Sequence, residues 1–353
     1  MKPLLTIVVP RLDDNAPMKI AKSLSVQALN DFTVTVVSLK EPRYILLGSN
    51  DVPDQVKVER LQIKSIVKII RSSVVHTHGI QPDILLWLLK LIFRHIFWIS
   101  TLHCNPLIEF ADRKPSAFFR LITKIWVRSL GRANCVVFLN AFVKNCLRLR
   151  NRAEIVYNGL DVKVMKSRSS HDNIRVRLFA NGRKVVGGYG VLRELKGFDQ
   201  LISAAVHLPE NICIVIAGDG NLKQQYQDQV EMQGLRNRVL FLGHCADAHK
   251  LLPEFDLFVM PSRSEGFPLA LVEALSYEKN IVLSNIPQFK ELSRDLDFGI
   301  YRLDDIDSLC KEIKTAIAHP KSSVKNNNYC QNTLTGVGMY ARYKEIYNAG
   351  RPR

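Results

Sequence analysis

The chain is most informative at Pro261-Ser262-Arg263-Ser264-Glu265-Gly266-Phe267-Pro268-Leu269-Ala270-Leu271-Val272-Glu273-Ala274-Leu275. Just before it, Leu257–Met260 is a short apolar run of the kind that forms a buried strand. Pro268 suits the first turn of a helix, where a missing N–H costs nothing, and helical spacing is expected over Pro268–Tyr277. Glu265 then lies in the loop beyond a strand's carboxyl end, and Glu273 more than a turn inside the helix. The free N–H groups around Gly266, Phe267 and Leu269 can donate to hydroxyl or phosphate oxygens. A carboxylate accepts strongly from vicinal hydroxyls, which are what a ribose or a hexose offers. An isolated pair of glutamates at this spacing also fits an ordinary helix start, with Glu265 favoured by the helix dipole and Glu273 solvated. Context has to decide.

Outward from this segment the pattern repeats. Strands are expected at Arg183–Gly190, Ile212–Ala217, Val239–Leu242, Leu257–Met260 and Ile281–Ser284, with helices at Gly197–His207 and Leu222–Met232 between them. Asn181-Gly182 offers a competing reading as a hairpin turn between Ile174–Leu178 and Lys184–Val186. The first half reads the same way: strands Leu4–Val9, Thr33–Ser38, Val74–Thr77, Ile96–Leu102, Cys135–Leu139 and Glu154–Val156, with helices over Met18–Leu29, Pro82–Arg94 and Ser116–Leu130. Its polar residues fall after strand ends: Arg11, His76, His78, His103, Asn105, Asn140 and Asn158. Ligands bind at that edge of an open parallel sheet. The reading is α/β, with two doubly wound domains. The 353 residues suit an N-terminal domain over 1–165 and a C-terminal domain over 166–335. Residues 336–353 are read as a helix, around Tyr340–Tyr347, that returns to the first domain, and a loose tail. Lys163–Asn173 reads as the linker. No Gly-x-Gly-x-x-Gly follows the first strand, which argues against a dinucleotide oxidoreductase.

The formal net charge is +16, and it is lopsided. Residues 1–170 carry 26 Lys and Arg against 12 Asp and Glu, whereas residues 171–353 carry 23 against 21. A basic first half suits an anionic surface, whether lipid headgroups, a phosphorylated glycolipid or nucleic acid. Seven scattered cysteines without a CxxC pair read as reduced thiols of a cytosolic protein. The apolar start is too short for a signal peptide. Ile84–Ile99 is broken by Lys90, Arg94 and His95 and falls short of the ~20 apolar residues a spanning helix needs. In Ser116–Leu130, Arg120, Lys124 and Arg128 recur every fourth residue beside Phe118, Phe119, Ile122, Ile125 and Trp126. That pattern fits a helix lying on a membrane, or a core helix with a basic solvated face.

The segment from Pro261 resembles the E-x7-E signature of family 4 of the retaining glycosyltransferases, which have the GT-B fold. The Pro-Ser strand end, Glu-Gly-Phe-Pro and the Glu-Ala that follows are all present. Gly190-Val191-Leu192-Arg193-Glu194-Leu195-Lys196-Gly197 is similar to the family's Gly-x-Leu-x-x-x-Lys-Gly element, and Ile216-Ala217-Gly218-Asp219-Gly220 to its Gly-x-Gly strand end. Val75-His76-Thr77-His78, Ser100-Thr101-Leu102-His103 and Tyr157-Asn158-Gly159-Leu160-Asp161 sit where the family has comparable motifs. The likeness runs in order over roughly residues 74–290.

The resemblance implies two Rossmann-like domains facing across a cleft, and transfer of a hexose or N-acetylhexosamine from a nucleotide sugar. Lys196 would neutralise the departing diphosphate, with Arg193 a second charge where many relatives carry an Arg at the position of Val191. Glu265 would grip the transferred sugar and Glu273 the ribose. Gly266, Phe267 and Leu269 would add backbone donors. Gly190 would border the donor, and Gly243 and His244 would lie near the base. His103 would face the sugar and the acceptor. The first loop, Arg11-Leu12-Asp13-Asp14-Asn15, departs from the Gly-Gly of many relatives. No metal and no cofactor beyond the donor is implied, with a UDP-sugar favoured over a GDP-sugar. Asp295-Leu296-Asp297 and Asp305-Ile306-Asp307 are read as loop and helix cap. The expected partners are a lipid-linked, lipopolysaccharide, O-antigen or capsule acceptor and the anionic inner leaflet, with no nucleic acid. The expected place is the cytoplasmic face of the inner membrane. Rival readings are a GT-B sugar-nucleotide epimerase, a non-catalytic homologue and a basic nucleic-acid-binding protein.

Overall fold

The computed structural model describes residues 2–13, 15–41, 53–113, 117–161, 170–320 and 323–350. The chain forms two compact units. The first takes in Met1–Asp161, Gly266–Leu269 and Thr333–Arg353, and the second Val162–Glu265 and Ala270–Asn332. The junction expected at Lys163–Asn173 lies mostly outside the described residues. Its described end is helical, because Ser170 caps a helix His171–Ala180 by accepting from the Asn173 N–H.

The first unit is built on seven strands: β1 Leu4–Arg11, β2 Thr33–Lys40, β3 Lys57–Arg60, β4 Val74–His78, β5 Trp98–Leu102, β6 Cys135–Phe138 and β7 Arg152–Ile155. All pairs are parallel, in the order β3-β2-β1-β4-β5-β6-β7. A parallel sheet covered on both faces needs apolar side chains on both, and β1 shows it. Leu5, Ile7 and Val9 face one core with the helices Ala16–Gln27 and Gly336–Asn348, while Val8 faces the other with Trp98 and Trp126. The C-terminal helix belongs to this unit and runs from Gly336 to Asn348, longer than the sequence pattern indicates, with Thr335 capping it. It is anchored by three tyrosines, which bond Asp31 through Tyr340, Thr101 through Tyr343 and His76 through Tyr347, each at 2.8 Å.

The second unit has six parallel strands: β8 Lys184–Tyr189, β9 Ile212–Ala217, β10 Val239–Gly243, β11 Leu257–Met260, β12 Ile281–Ser284 and β13 Gly299–Tyr301, in the order β10-β9-β8-β11-β12-β13. Its core packs Val186, Ile214, Ile216, Leu257, Val259 and Val282 against flanking helices. Both units are therefore doubly wound, as the alternation of runs predicts. The hairpin alternative at Asn181-Gly182 is overturned: Ile174–Leu178 lies inside the helix His171–Ala180, and Asn181 ends that helix in the left-handed region at φ 45°.

β3 and β13 escape the sequence pattern for plain reasons. β3 is an edge strand with charges at three of four positions, and β13 is three residues long. Asp305 does cap the helix Ile306–Ala318, through the Ser308 N–H. The apolar stretch Ile84–Ile99 is divided between a helix ending at Ile92 and β5, and no helix among the described residues is long and apolar enough to cross a membrane.

Candidate active site

In each sheet the strand order reverses at one place, between β1 and β4 in the first and between β8 and β11 in the second. The connections leave on opposite faces there, which opens a crevice at the carboxyl edge. In the second unit the chemistry-bearing residues collect at that edge. Lys196 ends a short 3-10 turn, Glu194–Lys196, and Gly197 after it adopts φ 66°. A Cβ on Gly197 would come within 2.1 Å of the Pro261 carbonyl, so glycine is required for the turn to press against the end of β11.

That contact brings the Lys196 ammonium to 2.6 Å from Glu265 Oε1. The same oxygen accepts from Ser262 Oγ at 2.7 Å. Glu265 is almost fully buried, and these two donors satisfy that oxygen. The loop that carries it is tied down from below. Ser284 donates to the Ser262 carbonyl, and Gln200, itself held by Tyr301, donates to the Pro261 carbonyl.

Arg263, which the sequence reading left without a role, is the clamp. It makes two bonds to Asp199, two to Asp304 and one to the Glu194 carbonyl. These partners, Asp199 first, hold its guanidinium above its ordinary pKa. Glu273, equally buried, has a different environment: Tyr189 Oη donates to its Oε2 at 2.6 Å, and among the described residues no Lys or Arg pairs with it.

The carboxyl ends of β8, β9 and β10 form a row of glycines. Gly190 N–H donates to the Ala217 carbonyl and Gly218 N–H to the Gly243 carbonyl, at 3.0 and 2.7 Å. A Cβ on Gly218 would lie 1.8 Å from the Gly190 carbonyl, so the row closes only with glycine there. His244 stands exposed beside it, two strands from the reversal point. Arg193 is half-buried on the Lys196 turn.

The first unit holds the rest. The N–H groups of Gly266 and Phe267 donate to no protein acceptor among the described residues, while their carbonyls accept from Asn140 and Asn158 at 2.8 Å. Phe267 stacks on Tyr157, and Leu269 sits in the core. His103, after β5, pairs its Nε2 with His78 Nδ1 at 2.8 Å. The outer nitrogens, His78 Nε2 and His103 Nδ1, are buried without a partner among the described residues. His76 is satisfied on both sides by Tyr347 and Thr101. Burial above all keeps these rings neutral, with His76 pushed down to about 3, His103 to about 4 and His78 well below its ordinary value. Among the described residues no group of three His, Cys, Asp or Glu side chains is placed to hold a metal ion.

Two family models account for nearly the whole chain. "Glycosyltransferase Family 4" matches residues 6–164, and "Glycosyl transferases group 1" matches residues 169–333. The chain is a family 4 glycosyltransferase. It is 27% identical over 319 residues to the O-antigen biosynthesis glycosyltransferase WclY of Escherichia coli, covering 85% of this chain and 87% of the relative. It is also 27% identical to an Escherichia coli UDP-Gal:alpha-D-GlcNAc-diphosphoundecaprenol alpha-1,3-galactosyltransferase, over 55% of this chain and 53% of that one. Among solved structures, Anabaena HepE in complex with UDP and glucose superposes with a TM-score of 0.81 at 19% identity, covering 98% of this chain and all of that one. The fold of this glycosyltransferase is thus GT-B.

In the second unit the structure brings several of the sequence-picked residues to the sheet reversal. Lys196, Glu265 and Glu273 gather there, and His103 lies one strand from the reversal in its own sheet. Their supports were not legible: Ser262 and Tyr189 are small parts of strand-end motifs until their partners, three and 84 residues away, are known.

Proposed function

We propose that the chain transfers a hexose or N-acetylhexosamine, with retention and without a metal, from a UDP-sugar to a lipid-linked acceptor of O-antigen, lipopolysaccharide or capsule assembly. The observation that carries this is the pair of nearly buried carboxylates at the reversal of the second sheet, one held by a lysine and the other, among the described residues, without a cation. Glu265 grips hydroxyls of the transferred sugar and Glu273 those of the ribose. Lys196, with Arg193 on the same turn, meets the diphosphate as negative charge develops on the leaving oxygen. Gly190, Gly243 and His244 border the nucleotide, and the N–H groups of Gly266, Phe267 and Leu269 donate to donor oxygens. His103 contacts hydroxyls from the first unit. Its neutral ring suits hydrogen bonding better than proton abstraction, since a base with a pKa near 4 holds a proton poorly at neutral pH. A front-face departure and attack, in which the leaving phosphate oxygen takes the acceptor proton, needs no protein nucleophile.

Relatives support this class of substrate. WclY is named for O-antigen biosynthesis, the galactosyltransferase for a UDP-Gal donor and a diphosphoundecaprenol acceptor, and HepE was crystallised with UDP. A membrane-facing first unit is supported by the helix Ala117–Leu130. There Phe118, Leu121 and Ile125 are exposed beside Arg120, Lys124 and Arg128. The test is a thermal-shift screen against UDP, GDP and ADP, then turnover with the matching sugars and assignment of product stereochemistry. UDP should raise the melting temperature and the product should keep the donor's anomeric configuration. An inverted product, or a 2-epimerised nucleotide sugar in place of a glycoside, would refute the proposal.

A further inference from the structure

Glu265 and Glu273 are equally buried but unequally satisfied. Glu265 receives an ammonium and a hydroxyl on one oxygen. Glu273 receives one neutral donor, Tyr189 Oη on Oε2, and no cation among the described residues. An ionised carboxylate has two oxygens and about four acceptor positions. One bond leaves most of that capacity unfilled, and Oε1 is not among the buried atoms that lack a partner, so it is open to a ligand's donors.

Tyr189 is itself fixed. It is the last residue of β8, paired with Ala217 of β9, and its ring lies 5.1 Å from that of Phe258 in β11. Its hydroxyl therefore reaches Glu273 from the two strands that flank the reversal of the sheet. Burial first, then the neighbouring carboxylate, raises its pKa well above the ordinary phenol value, so it remains a donor throughout the working range.

Resting on the reading of Glu273 as the ribose contact, we propose that Tyr189 is a positioning residue for the nucleotide. By holding Oε2 it turns Oε1 toward a vicinal diol and makes the second unit select ribonucleotides over deoxyribonucleotides. A carboxylate pinned at one oxygen presents the other in one orientation, where the two ribose hydroxyls can converge on it. Unpinned, it rotates and gains bonds to water instead, and the ordering must be supplied at binding. Tyr189 touches no substrate in this scheme; it acts through Glu273.

The test is calorimetric titration of the full chain with UDP and with 2′-deoxy-UDP, for wild type, Tyr189→Phe, Glu273→Gln and the double variant. Wild type should prefer UDP by about tenfold, the worth of one hydrogen bond to a charged group. Tyr189→Phe should lose most of that preference, with UDP affinity down about tenfold and 2′-deoxy-UDP affinity nearly unchanged. The double variant should resemble Glu273→Gln alone, because both changes remove one coupled contact. KM for the donor should rise in Tyr189→Phe while kcat at saturation holds. An unchanged preference in Tyr189→Phe overturns the inference, and so does an equal loss for both nucleotides, which marks general loosening. Wild type that binds UDP without preference for the ribose hydroxyl sinks the inference but leaves the glycosyltransferase intact. Wild type that binds none of UDP, GDP or ADP removes the donor reading beneath it.

Discussion

The Lys196–Glu265 pair differs according to the side from which it is broken. Lys196 keeps about a fifth of its side chain exposed, whereas Glu265 keeps 6%. Removing the carboxylate frees an ammonium that can turn to water; removing the ammonium leaves a nearly buried carboxylate with, among the described residues, only Ser262. Lys196→Ala should therefore destabilise the second unit by about 1–3 kcal/mol. Glu265→Gln should cost clearly less, and the double variant less than Lys196→Ala alone. Denaturant titration of the three variants checks this, and equal losses for both single changes would contradict it. It follows that lost turnover in Glu265→Gln is the cleaner evidence for a role in transfer. At this scale the sequence was legible where a residue type is demanded by its place, as with the glutamates and Gly197. It was silent where the demand comes from a distant partner, as with Arg263, whose bonds reach Asp199 and Asp304, 64 and 41 residues away.

The elements of the first unit are pinned by buried polar groups whose protonation differs between folded and unfolded chain. Asp83, in the helix Ile80–Ile92, accepts from Thr77 Oγ1 in β4 and from Trp126 Nε1 in the helix Ala117–Leu130. Burial nevertheless raises its pKa to about 7. Folded, it keeps its proton up to about pH 7; unfolded, it loses it near 4, so its contribution to stability falls as pH rises between those values. His76 and His103 act with the opposite sign. Neutral when folded and protonated below about 6.5 when unfolded, they lower stability as pH falls from 6.5 toward 4. Asp83→Asn keeps a neutral side chain that can still accept from Trp126 and donate to Thr77. Relative to wild type, this variant should gain a few kcal/mol between pH 4 and pH 8. Urea midpoints at both pH values measure it, and a difference that does not change with pH would refute the ionisation assigned to Asp83. Nothing in the sequence signalled this network, because Asp83 at a helix start reads as an ordinary dipole partner. The elements themselves were legible wherever a run was apolar on both faces, as in β1, β5 and β9, and illegible where an edge strand such as β3 carries charge instead of apolar side chains.

At the scale of the whole molecule, the excess of basic residues in the first half is proposed to serve a surface rather than a pocket. The charges at the sheet reversal of the second unit are paired, as Lys196 and Arg263 show. The helix Ala117–Leu130 is different: Thr123, Trp126, Ser129 and Leu130 are its buried side, Phe118, Leu121 and Ile125 form an exposed apolar stripe, and Arg120, Lys124 and Arg128 lie alongside. Leu88, Leu91 and Ile92 add exposed apolar surface at the end of the helix Ile80–Ile92. An apolar stripe bordered by cations matches an anionic bilayer surface in both charge and hydropathy. Each basic residue near such a surface is worth about 1 kcal/mol, so three should change partitioning by about a hundredfold. Flotation with phosphatidylglycerol-containing vesicles should carry wild type upward, and pure phosphatidylcholine or added salt should weaken it. Changing Arg120, Lys124 and Arg128 together to Glu should abolish flotation, and Phe118→Ser with Leu121→Ser should weaken it even on anionic vesicles. Turnover with a water-soluble acceptor analogue should be unaffected in both, since none of these residues belongs to the proposed site. Flotation of the charge-reversed variant at the wild-type level would overturn the assignment, and so would retention of wild type by DNA at physiological salt with no binding to vesicles, which would give the basic half a different partner.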